Sequence, residues 1–166
     1  MSSFNLRPAR TSDVAEIRRL VAPLADRRVL LEKEAVAYFE SLQQFRVAED
    51  DDGTVVGCGA LHVMWEDIAE VRTLVTSVPG TGVGHALLGQ LLDDARAVGV
   101  QRVFCLTFEV EFFVRHGFEV MANQSVVDPE VYSELLRSTD EGVAEFLDLA
   151  RVKPNTLGNT RMIKIL

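Results

Sequence analysis

The chain has 166 residues, of which 48% are hydrophobic and 25% charged, a composition typical of one globular domain that can bury a real core. Its formal net charge of −8 excludes a general attraction for nucleic acid or acidic membranes. No apolar run reaches transmembrane length, and the N-terminus lacks the apolar segment of a signal peptide. We therefore expect a cytoplasmic protein that binds neither nucleic acid nor a membrane.

The first part of the chain predicts one strand and two helices. Residues 4–7 predict a short strand, and a helix is expected to begin after the polar residues 12–13, which can cap it. A second helix is expected around residues 32–42. The positions of Val36 and Phe39 predict that both side chains face the interior.

The middle of the chain predicts a hairpin and a third strand. Apolar residues flank Asp52-Gly53, a dipeptide typical of tight hairpin turns, and a further strand follows at residues 70–76. Cys58 and Cys105 lie in apolar, strand-like runs. We expect both to be buried free thiols rather than a disulfide.

The second half of the chain continues the alternation of helices and strands. A glycine-rich loop precedes a helix expected to end at Gly99, then a buried strand at residues 102–107 and a short helix stopped at Gly117. Two more helices are expected to open at Asp128-Pro129 and Thr139-Asp140.

The C-terminal residues complete one α/β domain. We expect a single domain over residues 1–166, with a core at about 1–120 and C-terminal helices and a closing strand at about 121–166. The loop before the closing strand is a candidate lid, in which Lys153 and Asn155 are candidate substrate contacts.

The loop sequence VPGTGVGHALL indicates an anion site. Gly80, Gly82 and Gly84 separate a strand from a helix, and the unpaired N–H groups at a helix start favour negative charge. His85 follows where a P-loop requires lysine, and the glycine spacing is not that of a dinucleotide fingerprint. A turn that only permits tight packing is the alternative explanation.

The order of these elements resembles the Gcn5-related N-acetyltransferase (GNAT) superfamily. The resemblance implies an α/β fold with a mixed, mostly antiparallel, twisted sheet flanked by helices, and acetyl-CoA in the splay between two adjacent central strands. Gly82 and Gly84 match the last two glycines of the superfamily's R/Q-x-x-G-x-G pyrophosphate loop, whereas Pro79 replaces the usual Arg or Gln. The implied coenzyme contacts are Leu74, Val75 and Thr76 on the strand, and Gly80, Thr81, Gly82, Val83, Gly84 and His85 at the loop and helix start.

The same resemblance implies where the chemistry occurs. Strand alternation would place Glu70, Arg72, Leu74 and Thr76 on one face, and Glu70 matches a carboxylate that several superfamily members use as general base. Alternatively, Glu70 and Arg72 simply pair with each other. Phe113 stands where the superfamily usually has a tyrosine that acts as general acid, so that acid is missing here.

Within the superfamily the chain is similar to the short, single-domain amino-acid N-acetyltransferases and to N-acetylglutamate synthase. The similar segments are LRPA, VVGCGAL, EVRTLV, LTFEVEFFVRHGF and the tail RMIKIL. The resemblance implies that Arg7 and Arg161 bind the carboxylates of glutamate, as guanidinium groups do in bidentate fashion. Arg72 and Lys164 are further candidates for substrate binding, while Ile163 replaces a serine of the family's tail.

The expected function is acetyl transfer from acetyl-CoA to the α-amino group of L-glutamate, the first step of arginine biosynthesis. Two alternatives stay open, namely a different small amine such as glutamine, and a non-catalytic acyl-CoA sensor. His62, His85 and His116 do not share a metal-ligand spacing, so we expect no metal, although His62 is a candidate for the acceptor side of the sheet. The C-terminal helices and an exposed final strand are compatible with a homodimer.

Overall fold

A computed structural model describes residues 3–30, 33–121, 127–147 and 158–166. These residues form a seven-stranded sheet in the order β1-β2-β3-β4-β5-β7-β6, with helices on both faces. The strands are β1 (Phe4–Pro8), β2 (Phe45–Asp50), β3 (Val55–Val63), β4 (Ile68–Thr76), β5 (Arg102–Thr107), β6 (Glu119–Val120) and β7 (Thr160–Ile165). The helices are α1 (Val14–Asp26), α2 (Ala35–Glu40), α3 (Val83–Ala97), α4 (Val110–Arg115), α5 (Pro129–Leu135) and α6 (Glu141–Phe146).

The sheet is mixed and mostly antiparallel, as expected. Every neighbouring pair of strands is antiparallel except β4 and β5, which run parallel. A parallel pair needs a crossover connection, and α3 supplies it. This arrangement places the loop before α3 at the same end of the sheet as the carboxyl ends of β4 and β5.

The hairpin between β2 and β3 turns where the sequence predicts. Gly53 has a φ of 80°, a left-handed conformation that glycine adopts without steric cost. The Asp50 carboxylate accepts hydrogen bonds from the backbone N–H groups of Asp52 and Thr54, at 3.0 and 2.9 Å. An aspartate that binds the backbone two residues on is a common device for closing such a turn.

α3 packs very closely on β3. A Cβ atom at Gly57 would lie 2.7 Å from a Val83 methyl, and one at Gly59 would lie 2.8 Å from a Leu91 methyl. Glycine at both positions therefore allows the helix to approach the sheet backbone. Leu87, Leu88 and Leu91 fill the interface and are fully buried.

Two predictions about side-chain burial have different outcomes. Cys58 and Cys105 are free and buried, as expected, and burial raises the pKa of the Cys58 thiol to about 12. The prediction that Val36 and Phe39 face the interior is wrong, since they are 58% and 51% exposed. Tyr38 is instead the buried side chain of the six-residue α2, because its ring packs beside that of Phe45.

A bulge in β4 changes which residues share a face. Between Cys58–Val75 and Ala60–Arg72, one residue of β3 stands opposite two of β4, and Thr73 takes a φ of 55°.

The predicted common face of Glu70, Arg72, Leu74 and Thr76 is therefore wrong. The extra residue turns Leu74 and Thr76 toward α3, while Glu70 and Arg72 face the opposite side of the sheet. Strict alternation predicts one face only for a strand without a bulge.

The C-terminal helices begin where the sequence predicts. Asp140 caps α6, its carboxylate accepting a hydrogen bond from the Val143 N–H at 3.1 Å. The Phe146 ring packs edge-on against Phe104 of β5, with ring centres 5.0 Å apart, and so holds α6 against the sheet. The candidate lid residues Lys153 and Asn155 lie outside the described residues.

Among the helices described, none combines the length and the apolar character needed to cross a bilayer.

Candidate functional site

The glycine-rich loop exposes its backbone just before the start of α3. Gly80 and Gly82 have φ values of 78° and 86°, and no atom beyond their chain neighbours lies within 4 Å of where their Cβ atoms would be. The Thr81 hydroxyl donates a hydrogen bond of 2.6 Å to the Val78 carbonyl, which closes the loop on itself. Backbone N–H groups are therefore the main donors that the loop offers.

The first turn of α3 adds further backbone N–H donors at the end of this loop. Gly82 precedes the helix, and its carbonyl accepts the Ala86 N–H at 2.9 Å. The N–H groups of Val83, Gly84 and His85 come before that first intrahelical bond, so they point out of the helix end. The helix dipole adds partial positive charge at the same point.

His85 is held by a second histidine. Its Nδ1 lies 2.7 Å from Nε2 of His116, and Nδ1 of His116 lies 2.7 Å from the Phe112 carbonyl. Because that carbonyl can only accept, His116 Nδ1 carries a proton, and in a neutral His116 ring Nε2 accepts the hydrogen bond from His85 Nδ1. This chain of hydrogen bonds links the loop end of α3 to α4.

The parallel strands β4 and β5 separate beside this loop. Their pairing consists of Ile68–Arg102, Ala69–Val103 and Glu70–Phe104, and ends there. Farther along β4, residues 74–76 run beside the opening, and Val75 and Thr76 pair with β3 on the other side. The edge of β4 that faces the opening can therefore pair with an extended ligand.

A cavity of about 750 Å³ lies on the face of the sheet away from α3. Its wall is formed by α2 and the segment before it, by β3 and β4, and by α6 with the residues that precede it. The charged or titratable groups in its wall include Lys33, His62, Glu70, Arg72, Asp140 and Glu145. Glu70 and Arg72 were expected at the site from the sequence, and His62 was a candidate for the acceptor side.

Arg72 joins two carboxylates across the cavity wall. Its Nη2 lies 2.5 Å from Glu70 Oε2, and Nη1 and Nη2 each lie 2.8 Å from an oxygen of Asp140. Burial opposes ionisation of Asp140, but the hydrogen bonds and charge of Arg72 outweigh it and lower the pKa of that carboxyl. The alternative in which Glu70 and Arg72 pair with each other is thus realised.

Gly142 allows α6 to approach this ion-pair network. A Cβ atom at Gly142 would overlap Glu70 Oε2 and would lie 2.7 Å from Arg72 Nη2. The network and the start of α6 therefore fit together only because residue 142 has no side chain.

Burial changes the proton affinity of three groups in the cavity wall. It lowers the pKa of His62 to about 4, with help from the charge of Arg72, and it lowers the pKa of Lys33 with the same help. Burial and then the charge of Glu70 raise the pKa of Glu145 to about 7. Near neutral pH, His62 is therefore uncharged and Glu145 exchanges its proton.

Arg7 lies away from this cavity. Its guanidinium contacts Asp13 at 2.7 Å and Glu49 at 2.5 Å, on β1 at the edge of the sheet. The hydrogen bonds from Arg7 lower the pKa of Asp13, so the pair joins β1 to the start of α1. The assignment of Arg7 to a substrate carboxylate stays a prediction, and its two carboxylate partners do not support it.

Arg161 and Lys164 lie on β7, on the other side of β5. Arg161 Nη1 reaches the carbonyl oxygens of Glu145 and Phe146 at 3.4 and 3.5 Å, so it is close to one end of the cavity. The Lys164 ammonium donates a hydrogen bond of 2.8 Å to the His116 carbonyl and is thereby part of the α4 end. The four cations predicted to bind substrate therefore do not lie together: Arg7 is at the sheet edge, Arg72 and Arg161 are at the cavity, and Lys164 is beside α4.

The cavity wall includes Lys33, Asp140, Gly142 and Glu145, none of which was assigned to the site from the sequence. Asp140 was visible only as a helix start. Glu145 lies in an apolar helical pattern, VAEFL, and a charged residue on the buried side of such a pattern was the available signal.

Among the described residues, no three His, Cys, Asp or Glu side chains form a group that could hold a metal ion.

The comparison with known proteins agrees with this geometry. The model of the acetyltransferase (GNAT) family matches residues 14–118. The chain is 53% identical over 165 residues to an amino-acid acetyltransferase of Mycobacterium tuberculosis, covering 97% of this chain and 94% of that protein. It is 30% identical over 138 residues to an amino-acid acetyltransferase of Neisseria meningitidis serogroup A, covering 81% of this chain but 31% of that protein.

Solved structures of similar proteins contain the coenzyme. One from Mycobacterium tuberculosis, in complex with CoA and a second ligand, has a TM-score of 0.92 at 52% identity and covers 98% of this chain and 99% of that one. N-acetylglutamate synthase from Neisseria gonorrhoeae, complexed with CoA and N-acetyl-glutamate, has a TM-score of 0.79 at 23% identity, covers 100% of this chain and 36% of that one, and supports the fold alone. The chain belongs to the acetyltransferase (GNAT) family and is an acetyltransferase.

Proposed function

We propose that this acetyltransferase transfers the acetyl group of acetyl-CoA to the α-amino group of an amino acid, and that this amino acid is L-glutamate. The observation that carries the proposal is the cavity of about 750 Å³ next to the opening between β4 and β5. A thioester in the opening and an amino acid in the cavity would meet beside Glu70. N-acetylglutamate, the product, begins arginine biosynthesis.

The coenzyme would bind along the opening. Its pyrophosphate suits the N–H groups of Val83, Gly84 and His85 and the positive end of the α3 dipole. Its pantetheine arm would pair with the exposed edge of β4 at residues 74–76, as an added strand does. Since Pro79 supplies no side-chain donor, the backbone carries the recognition.

The cavity offers charged groups for both ends of an amino acid. Lys33 supplies an ammonium at the α2 side, where among the described residues no carboxylate lies within ion-pair distance of it. A substrate carboxylate beside Lys33 would stabilise its charged ammonium and so restore the proton affinity that Lys33 loses through burial. The substrate ammonium would then turn toward the buried carboxylates of Glu70 and Glu145.

The reaction requires removal of one ammonium proton before the nitrogen attacks the thioester carbon. The attack forms a tetrahedral oxyanion, and its collapse releases the CoA thiolate, which takes the second proton of the amine. Phe113 offers no hydroxyl for that last step, because its buried ring packs edge-on against Phe118. The thiolate would leave without a tyrosine.

A second candidate acceptor is an amino acid with a neutral amide side chain, such as glutamine. The observation that favours it is the charge of the cavity wall. Its described residues include two cationic side chains, Lys33 and Arg72, against six carboxyl groups, and Arg72 is already paired. The carboxylates are Glu34, Glu40, Glu70, Asp140, Glu141 and Glu145. A wall of this charge repels a second substrate carboxylate.

Thiol release from acetyl-CoA with each common amino acid tests the proposal. We expect release with L-glutamate, and a Lys33→Gln variant should raise the KM for glutamate about tenfold or more, the loss for one charge-assisted contact. Arg18→Gln, an exposed change on α1, is the matched control. Release with glutamine alone would select the second candidate, and binding of acetyl-CoA without release would favour a sensor.

A further inference from the structure

Arg72 on β4 holds two carboxylates on different sides of its guanidinium group. Nε and Nη2 donate to a single oxygen of Glu70, at 3.1 and 2.5 Å. Nη1 and Nη2 donate to the two oxygens of Asp140, at 2.8 Å each. The end of the guanidinium group is thus occupied by Asp140 in the bidentate manner in which arginine also binds the carboxylate of a ligand.

The two carboxylates differ in how firmly the fold holds them. Glu70 lies on the central strand of the sheet, its side chain is 6% exposed, and a Cβ atom at Gly142 would overlap its Oε2. The Asp140 side chain is 26% exposed and belongs to the residue just before α6, in the cavity wall. Asp140 can therefore turn toward solvent without disturbing the sheet, whereas Glu70 cannot.

The cavity brings Arg72 within reach of a second partner. Arg72 and Asp140 both line it, and Lys33 is the other cationic side chain among the described residues of its wall. A glutamate with its α-carboxylate at Lys33 has a second carboxylate to neutralise. A third carboxylate beside Arg72 would be repelled by the first two, but exchange for Asp140 leaves their number at two.

We propose that the side-chain carboxylate of the acceptor replaces Asp140 on Arg72, and that Asp140 thereby selects glutamate over glutamine. In the empty site Asp140 keeps the arginine paired, which avoids an uncompensated buried charge. A carboxylate can replace another carboxylate at little net cost. An amide cannot, because it brings no negative charge and offers one acceptor oxygen where Arg72 presents two N–H donors. The proposal rests on the proposed function, since it requires an amino acid in this cavity.

Two other roles of Asp140 give different results when its charge is removed. If Asp140 only anchors α6, or if it binds the substrate ammonium, the loss of its charge weakens glutamate and glutamine binding alike. Asp140→Asn keeps the volume and the cap on the Val143 N–H, because asparagine caps helices as well as aspartate does. Tighter binding of glutamate alone therefore distinguishes the exchange from both other roles.

Calorimetric titration of the CoA complex with L-glutamate and with L-glutamine makes this distinction. It compares wild type, Asp140→Asn and the control Asp128→Asn, the same change at an exposed position just before α5. We expect Asp140→Asn to bind glutamate about fivefold more tightly than wild type, the contribution of one hydrogen bond that the competing side chain has lost. Glutamine binding and the control should be unchanged. Equal or weaker binding of glutamate by Asp140→Asn would overturn the proposal.

A crystal structure of the wild-type CoA complex with L-glutamate gives a test that does not depend on the variant. The side-chain carboxylate of the ligand should lie within hydrogen-bond distance of Nη1 and Nη2 of Arg72, with Asp140 turned away. Asp140 still paired with Arg72 beside bound glutamate overturns the proposal. If wild type acetylates no amino acid while Asp140→Asn binds glutamate more tightly, the proposed function fails and the exchange stands. If neither protein binds glutamate, both fail.

Discussion

Replacing Glu145 by glutamine should change how stability depends on pH. The pKa of Glu145 is raised from 4.5 to about 7 in the folded protein, chiefly by burial, and its side chain is 7% exposed. Because the folded pKa is the higher one, the native state holds a proton that the unfolded state has lost between these two values. The stabilisation is fully present below the unfolded pKa and is lost as pH rises through the folded pKa.

The size of the effect follows from the shift. A difference of 2.5 pKa units, from 4.5 to about 7, corresponds to about 3 kcal/mol at 1.36 kcal/mol per unit. Wild type should therefore lose about 2 to 3 kcal/mol of unfolding free energy relative to Glu145→Gln between about pH 5 and pH 8. The variant has no charge to bury and should not show this loss.

Urea unfolding of both proteins at several pH values checks this prediction. Subtracting the two curves removes the pH dependence that all other groups contribute, provided the m-values agree. Glu130→Gln on the exposed side of α5 should give a flat difference over the same range. A flat difference for Glu145→Gln as well would show that Glu145 ionises normally, and the reasoning about its environment would be refuted.

Substitutions at Gly142, Thr73 and Gly82 test the backbone features of the site. Gly142→Ala should lower the free energy of unfolding by about 1 to 3 kcal/mol and reduce kcat, because its Cβ overlaps the ion pair that anchors α6; urea unfolding and thiol release measure the two effects. Because residue 73 has a φ of 55°, which glycine adopts more readily than alanine, Thr73→Gly should be about 1 kcal/mol more stable to urea than Thr73→Ala. Equal stability of the two variants would contradict backbone strain at this position. Gly82→Ala should cost about 1 kcal/mol of stability and weaken CoA binding in calorimetry, since its φ is 86°, whereas Gly89→Ala inside α3 should stabilise the protein and leave binding unchanged.

The element order and the glycine-rich loop before α3 were predictable because local sequence determines them. Gly53 and Gly82 stand at positions with positive φ, and only a few residue types tolerate that conformation. The spacing of apolar residues in α3 fixes its buried face, and the loop before a helix has its N–H groups exposed whatever the tertiary fold.

The acceptor side was predicted less well because tertiary contacts determine it. The bulge at Thr73 reverses the faces of the rest of β4, and nothing in the run EVRTLVT marks it. Arg7 pairs with Asp13, six positions along the chain, and with Glu49 on the neighbouring strand, and the spacing of residues in the sequence does not reveal these pairs. The pKa of Glu145 on α6 is raised by burial and by the charge of Glu70 on β4, which only the tertiary fold brings near it.

A crystal structure with CoA and N-acetylglutamate tests the central claim most directly, namely that the acceptor amino acid is acetylated in the cavity beside the β4–β5 opening. We expect the acetyl group at the opening next to Glu70, the amide nitrogen facing Glu145 and a carboxylate at Lys33. Product bound instead beside Arg7 at the sheet edge, with Asp13 displaced from its ion pair, would contradict it.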